Sequence, residues 1–128
     1  MYSDATHAVA TLLARGEDIC FVPQNGYEFW AVATRKVAQN GLAWTPAEAR
    51  AEGTRLQSSL TFLPDTGALY DEWLRLVFTY NVTGFKVHDA RLVAAMLVHG
   101  VTHILTFNDD DFKRYSSEVT VVTPGDVK

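Results

Sequence analysis

The stretch His88–Phe112, HDARLVAAMLVHGVTHILTFNDDDF, decides the fold. Apolar residues recur at helical spacing after Asp89, and Gly100 is typical of the residue that follows a helix C-terminus. Val101–Phe107 is a short apolar run rich in β-formers, and it predicts a buried strand. The acidic run Asn108–Asp111 follows at once. Because ligands of α/β sheets bind beyond the carboxyl ends of the strands, this stretch places carboxylates where a hard cation can be held.

Helices and strands alternate along the rest of the chain. Further strands are predicted at Asp18–Val22, Leu60–Leu63 and Val119–Val122. Helices are predicted at Asp4–Arg15, Gln24–Lys36, 46–58 behind the capping sequence TPAE, and Gly67–Tyr80, with a helical turn at Asp111–Tyr115. This alternation predicts α/β layers around a mostly parallel sheet, with the strand C-termini on one edge. The length of 128 residues fits one domain, residues 1–128.

Composition narrows the class of protein. The net charge of −4 gives no basic excess of the kind that favours nucleic-acid binding, so any such role needs a local patch. A single cysteine, Cys20, excludes a disulfide within the chain. No apolar run is long enough for a membrane span, and the opening residues MYSDATHAV lack the features of a secretory signal. We therefore expect a cytoplasmic protein that makes no contact with a membrane.

Acidic residues at three positions are expected to meet at the sheet edge. Glu28 lies early in the helix after the first predicted strand, Asp89 opens the next-to-last helix, and Asn108–Asp111 follows a strand. Thr106 and Asn108 add neutral oxygens. Converging carboxylates repel one another unless a cation neutralises them, and Mg²⁺ or Mn²⁺ suits an all-oxygen site. A water on such a cation has a lowered pKa and can attack a phosphodiester.

Each of these residues also has a simpler interpretation. Asp89 can serve the helix dipole alone, and the acidic run can be a solvated turn. Glu28 sits among three aromatic residues, which predicts partial burial and a need for a partner. Arg35 can offset a helix dipole or meet a phosphate, and His88 can open its helix or contact a substrate. No Gly-rich phosphate loop, GxSxG elbow or suitable nucleophile is present.

Two segments together resemble a known family. VPQNGYEFWAVATR at 22–35 and VHDARLVAAMLVHGVTHILTFNDDDF at 87–112 are similar to the PIN-domain family, in particular the VapC-like toxins of bacterial toxin–antitoxin pairs. The resemblance covers most of the chain, from the first predicted strand to the last. It implies a three-layer α/β/α domain that binds Mg²⁺ or Mn²⁺ and cuts single-stranded RNA. It also implies a cognate antitoxin protein as a partner, and a homodimer.

The resemblance assigns roles residue by residue. Glu28, Asp89 and Asp111 match the catalytic acids, which are also metal ligands. Asn108 matches the polar position after the strand, Asp109 is an extra acid beside it, and both are assigned to the metal. Thr106 matches the small hydroxyl residue of the motif, and we assign it to the substrate together with Arg35 and His88.

The chain departs from the family at its first strand. Members open with a central strand that ends in Asp within an apolar-D-T-N pattern, whereas Met1–Ser3 leads straight into a helix and Asp4 follows no apolar run. Loss of a central parallel strand leaves two unpaired edges. A strand from another chain can fill the gap, the neighbours can close up and dimerise differently, or the true start lies upstream. We expect the last, with reduced metal affinity for the chain as given.

The leading hypothesis is a metal-dependent endoribonuclease of the VapC-like PIN type, weakened by the missing first Asp. The alternative is a catalytically inactive PIN-like binding or dimerisation module that engages an antitoxin or RNA. A small-molecule α/β hydrolase ranks last, because no nucleophile is in place.

Overall fold

The computed structural model describes residues 2–128, and the side chains of residues 3–128. In this part the chain is mixed α/β, with six α-helices and two short parallel sheets. It divides into two compact units, which are described separately: Asp18–Pro64, and residues 2–17 with Asp65–Lys128. Within residues 2–128 no helix combines the length and apolar composition that a membrane span requires.

The unit Asp18–Pro64 pairs two helices with a two-stranded sheet. Its elements are β1 (Cys20–Phe21), α2 (Pro23–Thr34), α3 (Pro46–Gln57) and β2 (Thr61–Phe62), with a 3₁₀ turn at Val37–Gln39. The predicted capping box at the start of α3 is present: the Glu48 N–H donates to Thr45 Oγ1 at 3.1 Å, and the Thr45 N–H donates to the Glu48 carboxylate at 3.0 Å. Hydrogen bonds from the Thr45 backbone and then from its side chain stabilise the charged Glu48 carboxylate and lower its pKa.

Small residues bring α2 and α3 together. Ala33 on α2 and Ala49 on α3 are fully buried, and neither carries a side chain that would separate the helices. The Phe29 ring meets the Trp44 ring edge-on, with 6.3 Å between ring centroids. The Phe21 and Phe62 rings, one on each strand of the sheet, form a second pair with 5.1 Å between centroids. This unit is therefore stabilised by close helix packing and two aromatic pairs.

The other unit holds the remaining helices and the second sheet. Its elements are α1 (Tyr2–Ala14), α4 (Leu69–Thr79), α5 (Val87–Val98), β3 (His103–Leu105), α6 (Asp109–Phe112) and β4 (Thr120–Val122), with short 3₁₀ helices at Gly84–Lys86, Lys113–Tyr115 and Pro124–Asp126. Helix α5 supplies more buried apolar residues to the core than any other element of this unit, and three of them, Ala90, Val93 and Ala94, are fully buried. Gly100 follows it with a φ of 71°, as the sequence predicts for a helix end.

Helix α4 packs on α5 and is tied down at both ends. Near its start, Trp73 Nε1 donates a 2.8 Å hydrogen bond to the Val87 carbonyl at the beginning of α5. Near its end, the Tyr80 hydroxyl and the Arg75 guanidinium both donate to the Glu118 carboxylate. Burial raises the pKa of Glu118, but these two hydrogen bonds outweigh burial and hold it below its usual range.

Both sheets consist of two parallel strands in the described part of the chain. In β3–β4 the Thr102 carbonyl accepts from the Thr120 N–H at 2.8 Å, and the Thr106 N–H donates to the Val122 carbonyl at 2.9 Å. Since residues of a strand alternate in direction, the backbone groups of His103 face the edge away from β4. Both pairs are parallel, as predicted, but they form two separate sheets where one mostly parallel sheet was predicted. In each sheet, no strand of residues 2–128 covers either outer edge.

The same alternation holds in β1. The carbonyls of Ile19 and Phe21 accept from the N–H groups of Thr61 and Leu63, both at 2.9 Å. The backbone groups of Cys20 therefore face the edge away from β2. The strands are also shorter than predicted, since a residue counts as a strand only where a neighbouring strand pairs with it.

Candidate functional site

The turn after β3 is built by two neutral groups. Thr106 Oγ1 accepts a 3.0 Å hydrogen bond from the Asn108 N–H, and the Asn108 carbonyl accepts one of 3.0 Å from the Asp111 N–H. The second bond closes the first turn of α6. The Asn108 side chain makes no capping bond and Asn108 is exposed. Thr106 and Asn108 thus shape the loop that presents the acidic run at the carboxyl end of β3.

Asp111 already holds a positive charge. Its Oδ1 lies 2.6 Å from Lys86 Nζ, and both side chains are about one-third exposed, at 36% and 37%. Lys86 is the residue immediately before α5, so the ion pair links the start of that helix to the turn after β3. A charge-assisted bond in a half-buried setting is stronger than an ordinary surface pair. The Asp111 carboxylate is therefore a position where a cation is stabilised.

The other two acids of the run share one lysine. Lys113 Nζ pairs with Asp110 and lies 4.0 Å from Asp109 Oδ2. The hydrogen bond from Lys113 lowers the pKa of Asp110, and the same bond raises the pKa of Lys113. Asp110 is strongly exposed, with 84% of its side chain accessible. The interpretation as a solvated turn therefore suits Asp110, whereas Asp109 and Asp111 are partly covered.

Asp89 and His88 lie in the first turn of α5. Asp89 is half-buried and occupies the third position of the helix, where a carboxylate favours the helix dipole. Burial raises the pKa of Tyr115, and the negative charge of Asp89 adds to that shift, so Asp89 lies within electrostatic reach of the segment just after α6. His88 is exposed. The two neighbours therefore differ in environment, and only Asp89 faces partly inward.

Glu28 and Arg35 belong to the other unit. Glu28 is exposed, so the expectation that its aromatic neighbours would partly bury it is wrong: Tyr27 is itself 68% exposed and Trp30 42%. Its Oε1 accepts a 2.8 Å hydrogen bond from the amide of Gln24, which is buried. The exposed Arg35 follows α2, and its guanidinium donates weakly, at 3.4 Å, to the Asn40 carbonyl of its own loop.

The structure places five of the predicted site residues in the unit formed by residues 2–17 and Asp65–Lys128 around one turn and one helix start. They are Thr106, Asn108, Asp109 and Asp111 after β3, and Asp89 in α5. Their oxygens are the donors that Mg²⁺ and Mn²⁺ prefer. Across residues 2–128, however, no group of three or more His, Cys, Asp or Glu side chains lies together as a metal site. The donor types fit the metal, and the set of grouped acids is incomplete.

Lys86 is the residue that the sequence did not reveal. It stands directly before the VHDA segment, and a lysine at that place has no local pattern that pairs it with an acid 25 residues later. A search of the sequence for lysines and arginines close to Asp89 or the acidic run would have included Lys86 among its candidates. The pairing of Lys86 with Asp111 depends on the tertiary structure, which brings the start of α5 next to the turn after β3.

Cys20 gives no support to nucleophilic catalysis. The thiol is half-buried, and burial, with a further contribution from the Asp18 charge, raises its pKa. A raised pKa leaves less thiolate at neutral pH, and the thiolate is the nucleophile. The ranking of a nucleophilic hydrolase as last is consistent with this environment.

A scan against protein-family models finds no match for the chain, and a search of curated proteins finds none either.

Proposed function

We propose that this chain is a metal-dependent endoribonuclease with a PIN-like three-layer fold that lacks the first strand. One observation carries the proposal: Asp111, in the turn after a parallel strand, stabilises a positive charge that Lys86 supplies. Carboxylates at the carboxyl end of a parallel strand are where α/β proteins hold ligands.

The residues divide into ligands and substrate contacts. Asp89 and Asp111 hold Mg²⁺ or Mn²⁺, with Asn108 and Asp109 assisting, while Thr106 fixes the turn that carries them. A bound divalent cation supplies an activated water and neutralises charge on the phosphodiester. His88 contacts the RNA through its exposed side chain. The assignment of Arg35, which belongs to the other unit, to the RNA stays a prediction. The assignment of Glu28 to the same metal stays a prediction.

The proposed site has a reduced affinity for metal. The resemblance calls for a further Asp at the end of a first strand that residues 2–128 do not contain, and no three acids among the residues described lie together. Each missing carboxylate removes a charged ligand and weakens cation binding. We therefore propose a slow ribonuclease whose partners are single-stranded RNA, a cognate antitoxin and a second copy of the chain, in the cytoplasm.

A second candidate function follows from the same incompleteness. Without a group of three acids among residues 2–128, the fold can serve as an inactive binding or dimerisation module that engages an antitoxin or RNA. Metal-dependent cleavage separates the two functions, because only the nuclease loses activity when metal is removed.

The test combines Mn²⁺ calorimetry with cleavage of a fluorogenic single-stranded RNA. The chain is expected to bind Mn²⁺ weakly and to cleave RNA slowly, with cleavage abolished by EDTA. Asp89→Asn should reduce both signals by about tenfold or more, since a charged ligand is lost.

Asp4→Asn is the matched control, because Asp4 is also the third residue of its helix. It removes the same dipole interaction and should leave both signals unchanged. Cleavage that survives EDTA, or Asp89→Asn behaving as Asp4→Asn, would overturn the nuclease and favour the binding module.

A further inference from the structure

Helix α4 carries apolar side chains on two separate faces. Leu69 and Leu76 are buried and form the face toward the core. Tyr70, Leu74 and Phe78 are 64%, 47% and 89% exposed. At about 100° per residue, Leu74 lies roughly 140° around the helix from Leu69, so the two sets do not share a face. The exposed set is called the α4 stripe below.

The α4 stripe is a continuous ridge. Its three residues are spaced by four, so their side chains stand one above the other along the helix. Single exposed apolar residues are ordinary on protein surfaces, but three large ones in a row are typical of a contact surface.

One residue of the stripe, Tyr70, is also held in place before any partner arrives. The Tyr70 ring packs against the Trp73 ring with 5.7 Å between centroids, and Trp73 is fixed by its hydrogen bond to the Val87 carbonyl. A side chain that is already ordered loses little entropy when it is buried. The α4 stripe therefore meets the conditions for association at low entropic cost.

Charges beside the stripe indicate what covers it. Asp71 and Arg75 are both exposed and lie on the same side of Leu74, one turn apart and opposite in sign. Consider a two-fold axis that passes at Leu74 and is perpendicular to the helix. It makes the two α4 helices antiparallel and places the side that carries Asp71 and Arg75 next to the same side of the second copy. Asp71 then faces Arg75 of the second copy, twice, and Tyr70 faces Phe78 of the second copy.

Arg75 is charged, fixed in position and partly exposed, as a contact with Asp71 of the second copy requires. Its guanidinium donates hydrogen bonds to the carboxylates of Glu72 and Glu118, and these bonds, the one to Glu72 first, raise the pKa of Arg75 and keep it charged. Its side chain remains 44% exposed. A rigid guanidinium with an open side can meet a further carboxylate without a large loss of freedom.

We propose that the α4 stripe is the contact between two copies of this chain, related by a two-fold axis at Leu74. Identical ridges of i±4 residues interdigitate in the commonest class of helix packing, and a two-fold interface must be self-complementary in shape and charge. The inference deepens the proposed function, because it names the surface through which the second copy proposed there binds. Its observations come from α4 and not from the nuclease site, because no residue of the acidic turn takes part.

Sedimentation velocity over a concentration series tests the association. The chain is expected to pass from monomer to dimer, reversibly, because one helix face gives an interface at the small end of the range. Phe78→Glu should weaken the dimer by about tenfold or more, since it places a charge in an apolar contact. Asp71→Lys should weaken it by about threefold to tenfold, since it sets like charges opposite each other.

Disulfide trapping tests the axis itself. In a Cys20→Ser background, Leu74→Cys is expected to form a crosslinked dimer with itself, because residues at a two-fold axis meet their own copies. Thr79→Cys is the matched control: Thr79 is exposed on the same helix, about 140° away from Leu74, and should not crosslink. Circular dichroism of each variant confirms that the helix is kept.

A monomer at all concentrations would overturn the proposal and leave the stripe for a partner of another sequence. A dimer that Phe78→Glu leaves intact, or equal crosslinking of Leu74→Cys and Thr79→Cys, would also overturn it. These outcomes are independent of Mn²⁺ binding and RNA cleavage, so failure here and failure of the nuclease are distinguishable.

Discussion

Two turns lead from a parallel strand into a helix, one in each unit, and they differ in how they handle charge. After β1, the Asn25 side-chain oxygen accepts a 2.8 Å hydrogen bond from the Val22 N–H, with Pro23 between them. After β3, Thr106 Oγ1 accepts from the Asn108 N–H. Both turns are closed by a neutral oxygen of a side chain. The first continues into a helix turn without an acid, whereas the second is followed by three.

The groups that close the turn after β3 are different from the acidic residues that follow it. Asp109, Asp110 and Asp111 are not needed to close the loop after β3, because neutral groups make its backbone hydrogen bonds. Their partners are instead two lysines, Lys86 and Lys113. Three carboxylates in a row repel one another at a cost that local structure does not require. This excess of charge is what distinguishes the second turn as a candidate cation site.

The largest effect is expected within the acidic run itself. Asp111→Asn should reduce metal-dependent RNA cleavage by about a hundredfold, because it removes a charged ligand of the metal. Asp110 is the neighbouring acid, but its side chain is exposed and pairs with Lys113. Asp110→Asn should therefore change cleavage by less than about threefold. Cleavage rates at saturating Mn²⁺ measure both. Equal losses in the two variants would mean that the run acts only through its total charge.

Glu28, on the helix that follows the first turn, tests whether that turn also contributes to the metal site. The resemblance predicts that Glu28→Gln lowers cleavage by about tenfold, because a neutral amide is a weaker ligand than a carboxylate. Glu52→Gln, at an acid that pairs with Arg55 in the same unit, is the control. If both variants cleave RNA at the wild-type rate, Glu28 serves only its hydrogen bond with Gln24, and the two turns differ in function as well as in charge.

A substitution at Lys86 is expected to raise the affinity for Mn²⁺ and not to lower it. Lys86→Gln should tighten Mn²⁺ binding by about threefold to tenfold, because it removes a cation that competes for Asp111. Lys113→Gln removes a cation from Asp110 and Asp109 instead, and should change the affinity by less than about twofold. Calorimetry measures both. Weaker binding in Lys86→Gln would show that Lys86 positions Asp111 for the metal instead of competing with it.

The smallest effect is a difference in acid sensitivity. The pKa of Asp110 is lowered by Lys113, so the stabilisation from this pair is present above the usual aspartate pKa and is lost as the pH falls through the lowered value. The Asn25 bond of the first turn does not titrate. Amide chemical shifts followed by NMR from pH 6 to pH 2 should therefore move more at 109–113 than at 22–25. Equal movement would contradict the distinction between the turns.

Local signals in the sequence predicted the helices well. The TPAE segment predicted the start of α3, and the box formed by Thr45 and Glu48 is present. Gly100 predicted the end of α5 and has the positive φ that such an end uses. Such features depend on hydrogen bonds between residues three or four apart, so a short window of sequence contains both partners.

Strands and the candidate site were harder to predict. The strand predicted at Val101–Phe107 is paired only at His103–Leu105, because its length depends on β4, whose residues lie far along the chain. The acids after β3 were named from the sequence, but their partners were not. The burial expected for Glu28 was wrong because two of its three aromatic neighbours, Tyr27 and Trp30, are themselves exposed.

The sequence by itself determined which segments form helices, the parallel pairing of the strands and the position of the acidic run after β3. Periodicity, capping groups and turn residues act over a few positions and need no distant partner. Only the tertiary structure decided that Lys86 sits on Asp111, that each sheet stops at two strands, and that α4 keeps an apolar ridge in solvent. Those outcomes depend on which segments pack together, and the free energy of packing is shared among residues distant in sequence.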